Sequence, residues 1–526
     1  MPDWLGREAA PAHTVRTRPG RTTIRESTYE KYSTWMWILT YLTYCSYHLS
    51  RKPISVVKNV LNQNCSNMTS PFQTNDSHWC DWKPFDGDDS ATLLGTVDSS
   101  FLFAYAAGMF ISGIIAERVD LRLFLSFGMI FSGIFCGMFG LGHAFGIHQL
   151  WFYILAQILC GLMQTTGWPG VVTALGNWFG KGKRGLIFGI WNSHTSVGNI
   201  LGTLIAAAFV TKNWTLSFII PGIIIASVGV LVLFFMVPEP SFVGLPNPNM
   251  KKDPEGVSPP PRRRMRADHT WASEETAALL DDDSPNVSYI EKDKKMESEL
   301  ISTDTKEEKA ITFIGALRIP GVIEFSMCLF FAKLVSYTFL YWLPNYIANN
   351  TPSYSAEESA DLSTFFDVGG IIGGIMAGVI SDFSGMSAST CAVMLIFAIP
   401  MLFIYQLLSS ASLGLSIFLL IVVGLLVNGP YALITTAVSA DLGTHDSLRG
   451  NAKALATVTA IIDGTGSIGA AVGPLIAGPV SELDWNYVFY MLMVADVLAL
   501  LLLTRLVINE LRQWRQRRRQ NYHHSL

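Results

Sequence analysis

Tyr44, Tyr47 and Arg51 are spaced by three and four residues, so a helix would place them on one face, with Ser55 continuing it. Lys52 follows and points elsewhere. A guanidinium flanked by phenols suits a phosphate-like anion: its fork of donors matches the anion's oxygens, and it stays charged at any physiological pH. The competing reading is an arginine reaching from a helix end toward a membrane interface. Against it, Ile54, Val56, Val57, Val60 and Leu61 carry the apolar pattern past Arg51. Far along the chain, Lys333 shares a face with Ser336, Tyr337 and Tyr341 in the same way. Two cations facing one cavity would repel when it is empty. A phosphate monoester, with a charge of about −1.5 to −2, would neutralise them. An empty, doubly positive site is costly to seal from water, so this charge count predicts exchange rather than one-way transport. Asp98, Glu324, Asp367 and Asp463 are further acidic residues in apolar runs. Asp463, in the run Asp463-Gly464-Thr465-Gly466, could pair with a lysine, relay a proton or cap a kink.

These residues need apolar elements to hold them. Of 526 residues, 50% are hydrophobic and 15% charged, with a mean hydropathy of +0.34; soluble domains carry about 25% charged residues. The formal net charge of −4 argues neither for nor against a nucleic-acid partner. Windows of roughly 20 apolar residues give twelve spans: 33–60, 91–116, 121–144, 149–176, 184–211 and 214–237, then 318–349, 358–382, 388–409, 412–439, 450–479 and 484–508. The expected class is an all-α membrane protein of two six-helix halves, 33–237 and 313–509. A polar tail precedes them (1–32), a basic tail follows (510–526), and the linker 238–312 divides them. That linker holds Pro259–Pro261, Arg262–Arg264, Asp281–Asp283 and a Lys/Glu-rich run, a composition too polar for a core. No cleavable signal peptide is expected, since the first apolar run starts only near Trp35.

Charge sets the orientation. Arg118, Arg122, Lys181, Lys183, Arg184, Arg449, Lys453 and the tail's Arg512, Arg515, Arg517, Arg518 and Arg519 fall on one side with both termini, which marks it as cytoplasmic. Loop 61–90, on the other side, carries glycosylation sequons at Asn64, Asn67 and Asn75. That lumenal, oxidising setting predicts a disulfide between Cys65 and Cys80, the other reading being two free loop thiols. Cys45, Cys136, Cys160, Cys328 and Cys391 lie in apolar runs and read as small packing residues. The halves echo each other. Gly113 to Glu117 and Arg118 closes the second span and Gly378 to Asp382 the eighth, each a glycine-rich helix ending in a carboxylate, so Glu117, Arg118 and Asp382 are candidate gating residues. Two such halves suit alternating access around a midplane site.

Several stretches resemble the organophosphate:phosphate antiporters of the major facilitator superfamily. They are Gly167-Trp168-Pro169-Gly170, Asn177-Trp178-Phe179-Gly180-Lys181-Gly182-Lys183-Arg184-Gly185 and Trp191-Asn192-Ser193-His194-Thr195-Ser196-Val197-Gly198-Asn199. Tyr44-x-x-Tyr47-x-x-x-Arg51-Lys52 is similar to the family's phosphate-binding helix, and Trp342-Leu343-Pro344-Asn345-Tyr346 to the end of its seventh. Ser50-Arg51-Lys52-Pro53-Ile54-Ser55 and Ser439-Ala440-Asp441-Leu442-Gly443-Thr444-His445 resemble the animal sugar-phosphate exchangers, relatives of the endoplasmic-reticulum glucose-6-phosphate transporter. The resemblance covers essentially all twelve spans. It implies the major facilitator fold and exchange of a sugar phosphate, foremost glucose 6-phosphate, for inorganic phosphate, with no cofactor or metal. It assigns Arg51 as the first phosphate-binding arginine and Tyr44 and Tyr105 as site tyrosines. Tyr47, Asn192, His194, Lys333 and Tyr337 complete the candidate substrate-binding set. Three positions depart. The family's second cation falls on Ser336, one turn from Lys333; the bacterial members' span-two lysine falls on Met109; and their span-five histidine falls on Thr195, beside His194.

A membrane-embedded enzyme of phosphate-ester metabolism is the rival reading, and transport of a different organic anion is another. No nucleophile elbow, metal-spaced His/Cys set or P-loop is present to support the enzyme. A scaffold would rest on the linker alone, and a channel would need a selectivity filter. The resemblance implies the endoplasmic reticulum membrane, while Glu275-x-x-x-Leu279-Leu280 fits an acidic dileucine signal for endolysosomes.

Overall fold

The computed structural model describes residues 19–61, 82–116, 118–179, 190–246, 313–351, 353–443 and 453–524. Among them every regular element is a helix. Ten helical stretches are long and apolar enough to cross a membrane. One of these, His194–Phe235, breaks at Asn213, whose φ of −162° and ψ of 93° are extended. There the Asn213 side chain accepts from Thr215 N at 3.1 Å, and Ser217 Oγ reaches back to Ala206 O at 2.8 Å, tying the two arms together. Each arm is about 20 residues, enough for one crossing. Pro19–Arg51 with Pro53–Leu61 supplies one more, more polar, crossing. The resulting twelve segments match the spans expected from hydropathy.

Two ends differ from expectation. The first helix begins at Pro19, ahead of the apolar run. Tyr32 stacks on Trp178 with ring centroids 6.0 Å apart, so the added turns are held by aromatic packing against span 4. The last helix runs from Trp485 to His524, continuing through the basic tail. The junction of the first half with the linker is also docked: Asn177 donates to Pro238 O at 3.1 Å and the Trp178 indole to Val237 O at 2.7 Å.

The halves meet through spans 2 and 11, spans 5 and 8, and spans 1 and 7. Call the side carrying residues 82–90 the loop face and the side where the first described helix begins and the last one ends the terminal face. One hydrophobic core crosses between the halves, joining Leu61, Phe85, Leu94 and Val97 of the first to Trp342, Tyr346 and Ala477 of the second. Toward the terminal face the core is split. Met36, Trp178 and Trp191 belong to one cluster in the first half, and Leu329, Cys391 and Ile434 to another in the second. The loop face is therefore the closed side. Spans 2 and 11 touch there at glycine: a Cβ at Gly95 would stand 3.0 Å from Pro474 O, and one at Gly478 2.6 Å from Ala91 O.

Candidate functional site

Span 1 brings Arg51 into the centre on a helix seated tightly against span 5. A Cβ at Gly198 or Gly202 would collide with the carbonyl oxygens of Cys45 or Leu49. The second half repeats the device. Gly469 and Gly473 of span 11 make room for the carbonyls of Phe330 and Leu334 in span 7, on either side of Lys333. Glycines four apart permit this close backbone approach, so both cation-bearing helices are fixed in the same way.

Arg51 is buried. Its Nε donates to Gln164 Oε1 at 2.6 Å, and Gln164 Nε2 donates to Ser50 Oγ at 2.9 Å. The guanidinium carbon lies 4.8 Å from the Tyr105 ring centroid and 5.7 Å from that of Phe101. Its Nη2 is buried with no protein partner. Among the described residues, the ion pairs do not include Arg51. A buried charge without a counter-charge is expensive, and an anion placed at Nη2 would relieve that cost.

Lys333 differs from its expected role. Its Nζ contacts Asp463 Oδ1 at 2.7 Å and lies 3.5 Å from Ser467 Oγ, all buried. The pair is neutral, so the doubly positive empty site expected from the sequence is not what the structure holds. The charge count for exchange rests on Arg51, with Lys333 available only if Asp463 releases it. The Tyr337 and Tyr431 rings lie 6.0 and 5.5 Å from Nζ.

Tyr44 lies among His194, His48 and Trp168, with centroids 4.8, 5.2 and 5.2 Å away. Tyr47 does not join the site: its hydroxyl is bonded to Thr166 Oγ1 at 2.9 Å and its ring packs where a Cβ on Gly167 would be. His194 is buried against Trp191, with Nδ1 3.2 Å from Thr195 Oγ1 and Nε2 unpartnered. It is Thr195, together with Asn192, that lines the central cavity.

That cavity lies between the halves, walled by spans 1 and 5 on one side and spans 7, 8 and 10 on the other. It offers about 30 Å³ to the centre of a water molecule, room for about two waters and too little for a hexose phosphate. His48, Asn199 and Asp367 form a chain across it. Asn199 Nδ2 donates to Asp367 Oδ1 at 2.8 Å, and His48 Nδ1 lies 3.3 Å from Asn199 Oδ1. Within the second-half wall, Ser336 Oγ donates to Asn428 Oδ1 at 2.6 Å. Span 10 turns into a π-helical segment, Ile434–Val438, just beyond Asn428 and Tyr431; such bulges recur at functional sites.

A second buried ion pair joins Lys58 to Asp98. Lys58 Nζ also donates to Tyr341 O at 3.1 Å and lies 3.9 Å from the Trp342 ring centroid, so it staples the halves. The sequence signal was available: Lys58 stands seven residues after Arg51, two turns on along the same face. Other bonds across the halves are Lys52 Nζ to Leu340 O at 3.0 Å, Asn345 Nδ2 to Asn59 Oδ1 at 3.1 Å and Thr92 N to Glu482 Oε1 at 2.9 Å, with Ser99 Oγ to Ala471 O at 3.0 Å. All run from mid-membrane to the loop face. Of the other intramembrane carboxylates, Glu324 is at the terminal face, 3.2 Å from Arg505.

Arg118 and Asp382 are exposed at the terminal face. Among the described residues, no ion pair ties either one across the halves. Glu117, Lys181, Lys183, Arg184, Arg449, the sequons at Asn64, Asn67 and Asn75, Cys65, Cys80 and the Glu275 to Leu280 motif lie outside the described residues.

Residues 59–459 match the Major Facilitator Superfamily. The chain is 57% identical over 486 residues to the glucose-6-phosphate exchanger SLC37A2 of Mus musculus, covering 91% of this chain and 92% of that protein. It is 56% identical over 482 residues to the Homo sapiens SLC37A2 exchanger, covering 91% and 92%. With the glucose-6-phosphate exchanger SLC37A1 of Mus musculus it shares 51% over 510 residues, covering 91% and 93%.

Proposed function

Since this chain belongs to the organophosphate:phosphate antiporter family of the major facilitator superfamily, we propose that it exchanges glucose 6-phosphate for inorganic phosphate by alternating access. The observation that carries this reading is Arg51: a buried guanidinium without a carboxylate, its Nη2 unpartnered, in a membrane protein that pairs its buried Lys58 and Lys333 with carboxylates and gives its buried Lys52 a backbone carbonyl. Phosphate oxygens would accept from Nη2, with the Tyr105 and Tyr44 hydroxyls near. The Lys333–Asp463 pair is the second cation in reserve. An arriving dianion competes with Asp463 for the ammonium, and the pair re-forms as the anion leaves. The split core favours entry from the terminal face.

The same reading places both termini and the linker in the cytoplasm, and the sequon loop, with its glycans and a Cys65–Cys80 bridge, in the lumen of the endoplasmic reticulum. The basic residues of the last helix support that orientation. Purified protein in proteoliposomes provides the test. Radiolabelled phosphate uptake should require trapped glucose 6-phosphate or phosphate, and uptake into empty vesicles at the same rate would reject exchange.

A further inference from the structure

The anion site accounts for a phosphate, which both exchanged species share. It does not account for the central cavity, whose lining includes neither Arg51 nor Lys333 and whose second-half wall carries a carboxylate. Asp367 is buried in span 8, lines the cavity and accepts from Asn199 across the halves. A carboxylate repels a phosphate dianion and accepts from hydroxyl groups. The same wall offers Asn428 and Ser336, and Asn192 faces them from span 5; all three donate and accept without charge. His48 connects this wall to the anion site, lying three residues before Arg51 on the same helix and bonded to Asn199. Tyr337 and Tyr431 border both Lys333 and the cavity.

Resting on the exchanger reading, we infer that Asp367 is the specificity-determining residue of the organic substrate: it accepts sugar hydroxyls, with Asn428 and Ser336 beside it, while the phosphate lies toward Arg51. Asn199 donates to the carboxylate oxygen across the halves, and a sugar hydroxyl takes over that bond when the substrate binds. The site is thereby asymmetric, with donors for the anion at one end and an anionic acceptor at the other. A substrate that is charged at one end and hydroxylated at the other fits it in one orientation only.

The test uses the full chain in proteoliposomes, exchanging radiolabelled phosphate for trapped phosphate, with competitors added outside. Cyclohexylmethyl phosphate has the ring and the phosphate but no hydroxyls. For the wild type it should inhibit at least about ten-fold more weakly than glucose 6-phosphate, because a site built to bond hydroxyls disfavours an analogue lacking them. In Asp367→Asn the inhibition constant of glucose 6-phosphate should rise about ten-fold relative to the KM for phosphate, and the gap between the two competitors should narrow. Equal inhibition of the wild type by both competitors would overturn the inference without any variant. So would an Asp367→Asn protein in which glucose 6-phosphate and phosphate weaken in the same proportion, since that marks a latch rather than a recognition group. A wild type that exchanges no phosphate at all fails the exchanger reading itself, before the competitors are compared.

Discussion

Lys333 of span 7 and Asp463 of span 11 lie 2.7 Å apart in the protein interior, 130 residues apart in sequence. Removing one member of such a pair strands the other's charge, at about 3–5 kcal/mol. Removing both leaves only the lost packing. Lys333→Ala should therefore lower both the melting temperature in detergent and phosphate exchange. Lys333→Ala with Asp463→Ala should recover most of the stability. If exchange also returns, Lys333 serves structure alone; if stability returns while exchange stays lost, the lysine is needed by the anion. A double variant no more stable than Lys333→Ala would contradict the pairing.

Arg51→Ala should abolish phosphate exchange with the protein still folded, because the unpaired Nη2 is what the anion completes. Arg51→Lys should rescue poorly. It keeps a charge but loses the fork, including the bond to Gln164. Each lost charge-assisted bond is worth about 1.5–3 kcal/mol, or roughly ten- to hundred-fold in KM. Exchange kinetics at matched reconstitution levels read this directly. Near-normal exchange by Arg51→Ala sinks the site.

Asn59 and Asn345 meet across the halves at the loop face. Cysteines at both positions should be joined by a short bifunctional thiol reagent, and the joined protein should stop exchanging. Phosphate in the medium should change the joining rate, since the face must part in each cycle. Full exchange by a completely cross-linked protein would mean that this face does not open.

Changing Asn64, Asn67 and Asn75 together to Gln should remove the mobility shift produced by glycosidase. Mass spectrometry without reduction should find Cys65 joined to Cys80. A shift that survives the three changes would place loop 61–90 on the other side of the membrane.

Much of this architecture is legible because lipid imposes a long apolar run for each crossing, and the runs are separated by charged turns. Arg51 stood out for the same reason: an unneutralised cation within such a run is rare. Helical spacing was less discriminating. Tyr44, Tyr47 and Arg51 share an arc, yet that arc is divided between a neighbour, where Tyr47 meets Thr166, and the interior, where Tyr44 meets His194. Periodicity gives a face and not what lies opposite. The partners Gln164, Asp463 and Asp98 are on other spans, and nothing local in the sequence says which carboxylate will reach which lysine. Asp367 was visible as an acid in an apolar run, but its place in the cavity wall depends on how spans 5 and 8 pack across the halves.

The glycine contacts between spans 2 and 11 have a mechanical consequence. At Gly95 and Gly478 the helices meet backbone to backbone, so few side chains interlock in a way that must be unpicked. Two such surfaces can roll apart like smooth rods. Along this seam the resistance then resides in a few hydrogen bonds, those of Thr92 with Glu482 and Ser99 with Ala471, each worth about 0.5–1.5 kcal/mol net, while the shared hydrophobic core and the Lys58 staple hold the halves beside it. A toothed interface would set the speed of each cycle by disengagement of its teeth. A smooth one leaves that speed to a few bonds, which water entering from the loop face can replace one at a time.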